Sequence, residues 1–108
     1  MTKVSFNDFT KLELRIGKVI GADEVADSEK LLKLDVDFGE ERKQVISGIA
    51  KFYSPDDLIG KEFVFVTNLE PRNIMGLESQ AMILAADVAG EAVCLAPNKE
   101  VPPGTNVR

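Results

Sequence analysis

The sequence predicts an all-β domain. The expected architecture is a closed or nearly closed five-stranded antiparallel barrel, with a short helix between strands 3 and 4 and extensions at both termini. Three observations predict it. Leu12, Leu14 and Ile16 alternate with Glu13 and Arg15, and Leu32, Leu34, Val36 and Phe38 alternate with Lys33, Asp35 and Asp37, the period of a strand with one buried face. Further short apolar runs are separated by turn residues at Gly39-Glu40-Glu41 and Ala89-Gly90. Between the third and fourth strands, Ser54–Gly60 carries the signals of a single helical turn. A two-sheet sandwich is the alternative, but it needs more strands than the five or six present. The 108 residues hold no linker, repeat or low-complexity tract, so residues 1–108 are expected to form one domain.

Each element follows from its local residues. Ser5–Lys11 reads as a short helix, with Ser5 as N-cap, Asp8 three residues on, and Phe6 and Phe9 on one face. The first strand begins at Leu12, and its alternation slips at Gly17, which predicts a bulge or bend there. Leu32–Phe38 and Lys43–Ile49 form a hairpin through Gly39-Glu40-Glu41. Ser54–Gly60 has a serine cap, Pro55 at the first helical position, Asp56 and Asp57 near the positive helix end, and glycine at the stop. Phe63–Val66 is a continuous apolar run, hence a buried strand. Leu69–Gln80 is expected to be a twelve-residue loop. Met82–Ala86 and Ala92–Ala96 are two further strands, and Pro97–Arg108 is a turn-rich tail. A helix between the third and fourth strands of a small barrel matches the five-stranded OB (oligonucleotide/oligosaccharide-binding) fold.

Composition narrows the function. The chain has no histidine, no tryptophan and one cysteine, Cys94. The usual transition-metal sites and the Ser-His and Cys-His nucleophile pairs are therefore missing. No enzyme activity, metal or cofactor is expected. A lone cysteine forms no internal disulfide and is compatible with a reducing compartment, so a cytoplasmic location is expected. No apolar run reaches the length of a membrane span, and Met1–Thr10 lacks the apolar core of a secretory signal. The net charge of −5 argues against a polyanion partner when taken alone. The charge is uneven, however. Residues 30–51 carry Lys30, Lys33, Arg42, Lys43 and Lys51 against Asp35, Asp37, Glu40 and Glu41, and are net basic, whereas residues 1–29 and 52–108 are net acidic.

The most informative stretch is Asn68–Gln80. A long segment in so small a domain, rich in Leu69, Ile74, Met75 and Leu77, is either functional or a packed cap on the barrel end. Arg72 presents a planar fork suited to phosphate, and Met75 and Leu77 an apolar surface for a base or ribose. Ser47-Gly48 interrupts the third strand, with a curvature bulge as the plainer explanation. Asp35 and Asp37 share one strand face without a third ligand, so they read as solvated surface.

Seven segments, in order along nearly the whole chain, resemble the tRNA-binding domain at the C-terminus of bacterial methionyl-tRNA synthetases and its free-standing relatives. They are Phe6-Asn7-Asp8-Phe9, Leu14-Arg15-Ile16-Gly17-Lys18-Val19, Lys30-Leu31-Leu32-Lys33-Leu34, Ser47-Gly48-Ile49-Ala50, Leu58-Ile59-Gly60-Lys61, Asn68-Leu69-Glu70-Pro71-Arg72 and Met75-Gly76-Leu77-Glu78-Ser79. The resemblance implies the barrel inferred above, a homodimer built partly from terminal elements, binding of tRNA by shape, and assistance to a methionyl-tRNA synthetase catalytic chain. It implies a tRNA surface made of Lys30 and Lys33 on the second strand, Arg42 and Ser47 on the third, and Asn68, Arg72, Met75 and Ser79 on the long loop. Glu70 stands where a lysine is common in the family, and Gln80-Ala81 replaces a usual Glu-Gly, so the loop is less basic than in its relatives. A secretion-related, dimeric chaperone or peptide-binding protein of the same fold is the alternative, favoured by the net acidity and by Ile74-Met75-Gly76-Leu77.

Overall fold

The computed structural model describes residues 1–108. The elements run α1 (Phe6–Phe9), β1 (Leu14–Glu24), β2 (Leu32–Asp37), β3 (Arg42–Ser47), α2 (Pro55–Leu58) and β4 (Glu62–Val66). They continue with β5 (Arg72–Ile74), β6 (Leu77–Ser79), β7 (Met82–Ile83), β8 (Ala85–Val88), β9 (Glu91–Cys94) and β10 (Asn106–Val107). The main sheet is antiparallel in the order β3-β2-β1-β4-β7. Its two edges are drawn together: the Gln80 amide donates to the Gln44 carbonyl at 2.8 Å, and the Gln44 amide donates to Gln80 Oε1 at 2.8 Å. The result is the expected five-stranded OB-type barrel, with α2 between β3 and β4.

The alternation in β2 does what its period dictates. Leu32, Leu34 and Val36 point inward and are fully buried, while Lys33, Asp35 and Asp37 face out. With Val19, Val45, Phe38, Leu58 and Phe65 they make the core. Phe38 and Phe65 meet edge to face, ring centroids 5.3 Å apart. In α2, Leu58 is the buried residue, the Ser54 amide donates to Asp57 Oδ2 at 2.9 Å, and Gly60 takes φ +85° just past the helix.

β1 differs from expectation. The irregularity lies between Val19 and Gly21, where the strand leaves β4 for β2, and not at Gly17. Gly17 is a packing glycine: a Cβ there would sit 2.5 Å from Val36 Cγ1 and 2.6 Å from Phe38 Cε1. The slip in the pattern has another cause. Ile16 is buried but lies outside the central core, its backbone bonded to Thr105 and Gly104 of the C-terminal segment. Gly17 and Val19 are the barrel-facing residues, and Ile16 is buried on the other face of β1.

The expected loop 69–80 is a β-hairpin. β5 and β6 pair through Ile74↔Leu77, joined by Met75 at φ +51° and Gly76 at φ +81°. Two left-handed residues make a tight hairpin turn whose usual sequence is Asn-Gly or Asp-Gly, and a methionine at the first position hides it. Ala89-Gly90 makes the same kind of turn between β8 and β9. The strand expected over Met82–Ala86 divides at Leu84, whose amide donates to the Val64 carbonyl while its own carbonyl accepts from Leu95. The third strand ends at Ser47, and Gly48 has open space around it. The tail is more ordered than expected: β10 pairs with the start of β1 through Leu14↔Val107. The Val101 amide, further up the tail, donates to Glu62 Oε1 at 2.9 Å.

Candidate nucleic-acid interface

One end of the barrel gathers several lysines. Lys33 lies on β2 opposite Ile46, and Leu32 lies opposite Ser47 at the end of β3. The Ala50 amide donates to the Lys30 carbonyl at 3.0 Å, which extends this pairing beyond the strands. Lys30 is therefore in the bend preceding β2, not on the strand itself; its amide donates to Ser28 Oγ at 3.2 Å. Lys51, exposed and next to Ala50, belongs to the same end. It was countable as charge in the sequence, but nothing local marks it as a surface partner of Lys30. The tip of the β5–β6 hairpin leans over this end. Met75 and Leu77 line an open cleft of about 320 Å³ together with Glu24, Val25, Ala26 and Lys33. Arg72, exposed at the base of the hairpin, borders a smaller depression with Leu69, Ile46 and Met82.

Two of the eight expected site residues have their polar atoms committed within the fold. Ser79 is 7% exposed. Its Oγ accepts from the Ile46 amide at 3.0 Å and donates to the Ala81 carbonyl at 3.0 Å, fastening the hairpin to β3. Asn68 Oδ1 accepts from the Glu13 amide at 2.7 Å, and its Nδ2 donates to the Lys11 carbonyl at 2.6 Å. That holds the N-terminal segment against the barrel, away from the hairpin. The spacing of an Asn or a Ser in a sequence carries no trace of a partner some thirty to fifty residues away.

Arg42 opens β3 opposite Asp37, four ladder positions from the Lys33–Ile46 pair, or roughly 13 Å along the strand. Its Nη1 lies 3.9 Å from Asp35 Oδ2. The sheet face between Lys33 and Arg42 thus carries Asp35 and Asp37, and an extended polyanion along it meets carboxylates. Ser47 is half-buried at the cationic end. The cluster is therefore Lys30, Lys33, Ser47, Lys51 and the hairpin tip, with Arg42 apart.

The opposite end carries Arg15, whose guanidinium sits 5.1 Å from the Phe38 ring centroid and 2.7 Å from Glu41 Oε1. Its Nε is also 3.2 Å from Glu13 Oε1 and 3.2 Å from Thr67 Oγ1. The Arg15 hydrogen bond, helped by the charge of Lys43, holds the Glu41 carboxyl below its ordinary range. This arginine closes a barrel end and is already paired. Burial pushes the Cys94 thiol up, and its amide donates to Tyr53 Oη at 3.0 Å.

A third feature lies at the termini. Ser5 Oγ accepts from the Asp8 amide at 3.1 Å, as its capping role requires. None of α1 is buried: Phe6 is 76% exposed. Phe6, Phe9, Leu12 and Leu14 line an open cleft of about 440 Å³ with Asn68 and Val107.

The model of the putative tRNA binding domain family matches residues 14–106. The methionine--tRNA ligase of Archaeoglobus fulgidus is 51% identical over 105 residues, which is 97% of this chain and 16% of that protein. The corresponding protein of Methanothrix thermoacetophila is 50% identical over the same share of each. The chain thus spans 16% of the length of these relatives. Among solved structures, a MetRS related protein from Pyrococcus horikoshii superposes with a TM-score of 0.95 at 37% identity, each chain covered in full. A chaperone, CsaA of Bacillus anthracis, superposes with a TM-score of 0.91 at 39% identity, covering 99% of this chain and 100% of that one.

Proposed function

The chain belongs to the putative tRNA binding domain family, and from that premise we propose that it is a non-catalytic tRNA-binding module that recognises tRNA by shape and assists a methionyl-tRNA synthetase. The observation that carries the site is the grouping of Lys30, Lys33 and Lys51 at one barrel end, with Lys33 in the cleft under the β5–β6 hairpin, in a chain of net charge −5. Lysine ammoniums on a barrel end suit phosphates, which position an RNA without reading its sequence. Arg72 adds a bidentate fork at the base of the hairpin. Ser79 and Asn68 act by holding the hairpin and the N-terminal segment in place. Arg42 is a peripheral contact, and Ser47 supports the strand end that carries the lysines.

Binding is modest and salt-sensitive. Neutralising about three to five phosphates gives a log–log salt slope near −2 to −4. Filter binding of bulk tRNA across a salt series measures it, and no retention at low salt rejects the assignment.

A second copy of the chain is a further partner. The exposed apolar cleft of Phe6, Phe9, Leu12, Leu14 and Val107 suits a homodimer interface at the termini. Light scattering of the chain and of Phe6→Glu tests it: a monomeric parent at tens of micromolar rejects the dimer. On this reading the site of action is the cytoplasm, where tRNA is charged.

A peptide-binding or chaperone role is the second reading, because a solved chaperone shares the fold at 39% identity over almost the whole chain. A gel shift with tRNA, run against binding of an unfolded apolar peptide, separates the two.

A further inference from the structure

We propose that the cleft between the β5–β6 hairpin tip and the β1–β2 connection is a slot for one unpaired nucleotide of the bound RNA, its base held between aliphatic walls and its phosphate by Lys33. The inference rests on the tRNA-binding reading and adds to it a preference for RNA with a base free of its helix.

Two independent observations point there. The first is the chemistry of the walls. Met75 and Leu77 stand on one side and Val25 and Ala26 on the other, with Lys33 and Glu24 as the only charged residues lining the cleft. Apolar faces on both sides with a cation and an acceptor at the edge are what a splayed-out base requires, because its flat faces seek dry contact while its edge and phosphate seek polar partners. Neither a lone lysine nor an apolar patch provides that combination. The chain has no tryptophan and one tyrosine, and that tyrosine, Tyr53, is bonded to Cys94 and packed against the core. The exposed phenylalanines, Phe6, Phe9 and Phe52, do not line the cleft, so aliphatic and thioether surfaces are what it offers a base.

The second observation is the backbone at Met75. It is 61% exposed and sits at φ +51°, a left-handed position that glycine or asparagine adopts more easily. The turn is held by the Gly76 amide donating to Asn73 Oδ1 at 2.9 Å. A large exposed apolar side chain at a strained turn position contributes little to folding. Strain of this kind is kept where the side chain is used, and here the side chain forms one wall of the cleft.

Glu24 makes the slot selective. Its carboxylate only accepts hydrogen bonds: cytosine, adenine and guanine offer it an amino group, whereas the one donor of uracil, N3–H, lies between two carbonyl oxygens that a carboxylate repels.

The test uses the full chain and two RNA probes that differ by one phosphate: a short perfect duplex, and the same duplex with a single cytidine bulge. Fluorescence anisotropy is read for the parent, Met75→Gly and Glu24→Gln. Met75→Gly removes a wall while relieving the turn, so its melting temperature is expected to equal or exceed that of the parent. The parent is expected to bind the bulged RNA about five- to tenfold more tightly than the duplex. Met75→Gly brings the bulged RNA to the level of the duplex, and Glu24→Gln shifts the preference from a cytidine towards a uridine bulge. Equal parental affinity for both RNAs overturns the slot while leaving tRNA binding in place. So does a Met75→Gly protein that keeps the preference, or one that loses binding of an apolar peptide and not of the bulged RNA. Failure of the parent to bind either probe or bulk tRNA is a different result, since it rejects the tRNA reading on which the slot rests.

Discussion

Replacing Ser79 by alanine separates a structural role from a contact role for that residue. In the fold Ser79 is 7% exposed, and its single hydroxyl serves two backbone groups: it accepts from the Ile46 amide at 3.0 Å and donates to the Ala81 carbonyl at 3.0 Å. Alanine fits the space, so neither a cavity nor a clash arises. The loss is electrostatic. The Ile46 amide faces β6 rather than water and is left without an acceptor, at a cost of about 1–3 kcal/mol. The Ala81 carbonyl loses a donor, which costs less because a carbonyl tolerates under-satisfaction better than an amide. A loss of about 2 kcal/mol in a domain near 100 residues corresponds to a fall of roughly 8–16 °C in Tm. The damage is local to the junction of the β5–β6 hairpin with β3, so well below the melting transition tRNA affinity should fall by less than about threefold. Thermal denaturation and filter binding of tRNA, measured on the same preparation, check both halves. A Ser79→Ala protein that melts with the parent yet loses tRNA would show a direct contact and refute the reasoning.

Arg72→Glu should show the inverse pattern, an unchanged Tm with binding weakened by about 1–3 kcal/mol, because an exposed phosphate contact becomes a repulsion; binding like the parent would confine the tRNA surface to the lysine end. Asp56→Ala in the first turn of α2 should lower stability by about 0.3–1 kcal/mol through the lost dipole interaction and leave affinity alone. Gly17→Ala should cost about 1–3 kcal/mol or more, since the new methyl meets Val36 and Phe38 at 2.5 and 2.6 Å, whereas Gly21→Ala, with its nearest atom Asp35 Cβ at 3.5 Å, should change the chemical denaturation midpoint little. The Glu41 carboxyl is held below its ordinary value of 4.5, so its contribution is present above that value and is lost as pH falls through the lower folded-state value. An acid titration of Tm should therefore show a shallower fall for Glu41→Gln than for the parent.

The period-two alternation of residues 32–38, the glycine turn after it and the capped turn at Ser54–Gly60 were sufficient to place β2, β3 and α2. These are local matters: which face is apolar, which residue tolerates a positive φ, which side chain satisfies a free amide. The cationic segment 30–51 was visible for the same reason, since charge is counted along the chain. The β5–β6 hairpin was not visible, because its turn is spelled Met75-Gly76 and its strands are three residues each, too short for a period to show. Gly17 looked like a bend because Ile16 is buried outside the central core, so an alternation counted from Ile16 puts Gly17 and Val19 on the wrong face.

The site divides along the same line. By itself the sequence determined the fold class, the family likeness and the residues carrying charge, all of which depend on residue identity and on spacing within a few positions. Tertiary structure alone decided which of those residues are free to act. Ser79 and Asn68 are ordinary polar residues until Ile46, Ala81, Glu13 and Lys11 arrive within hydrogen-bond distance and engage their polar atoms. Lys51 becomes a neighbour of Lys30 only through the Ala50–Lys30 hydrogen bond. Lys33 meets Met75 only because the barrel closes and brings the hairpin over its end. Chain closure sets these distances, and hydrogen bonds and dry contacts fall off within a few ångströms, so contacts between residues far apart in sequence exist only once the chain has folded.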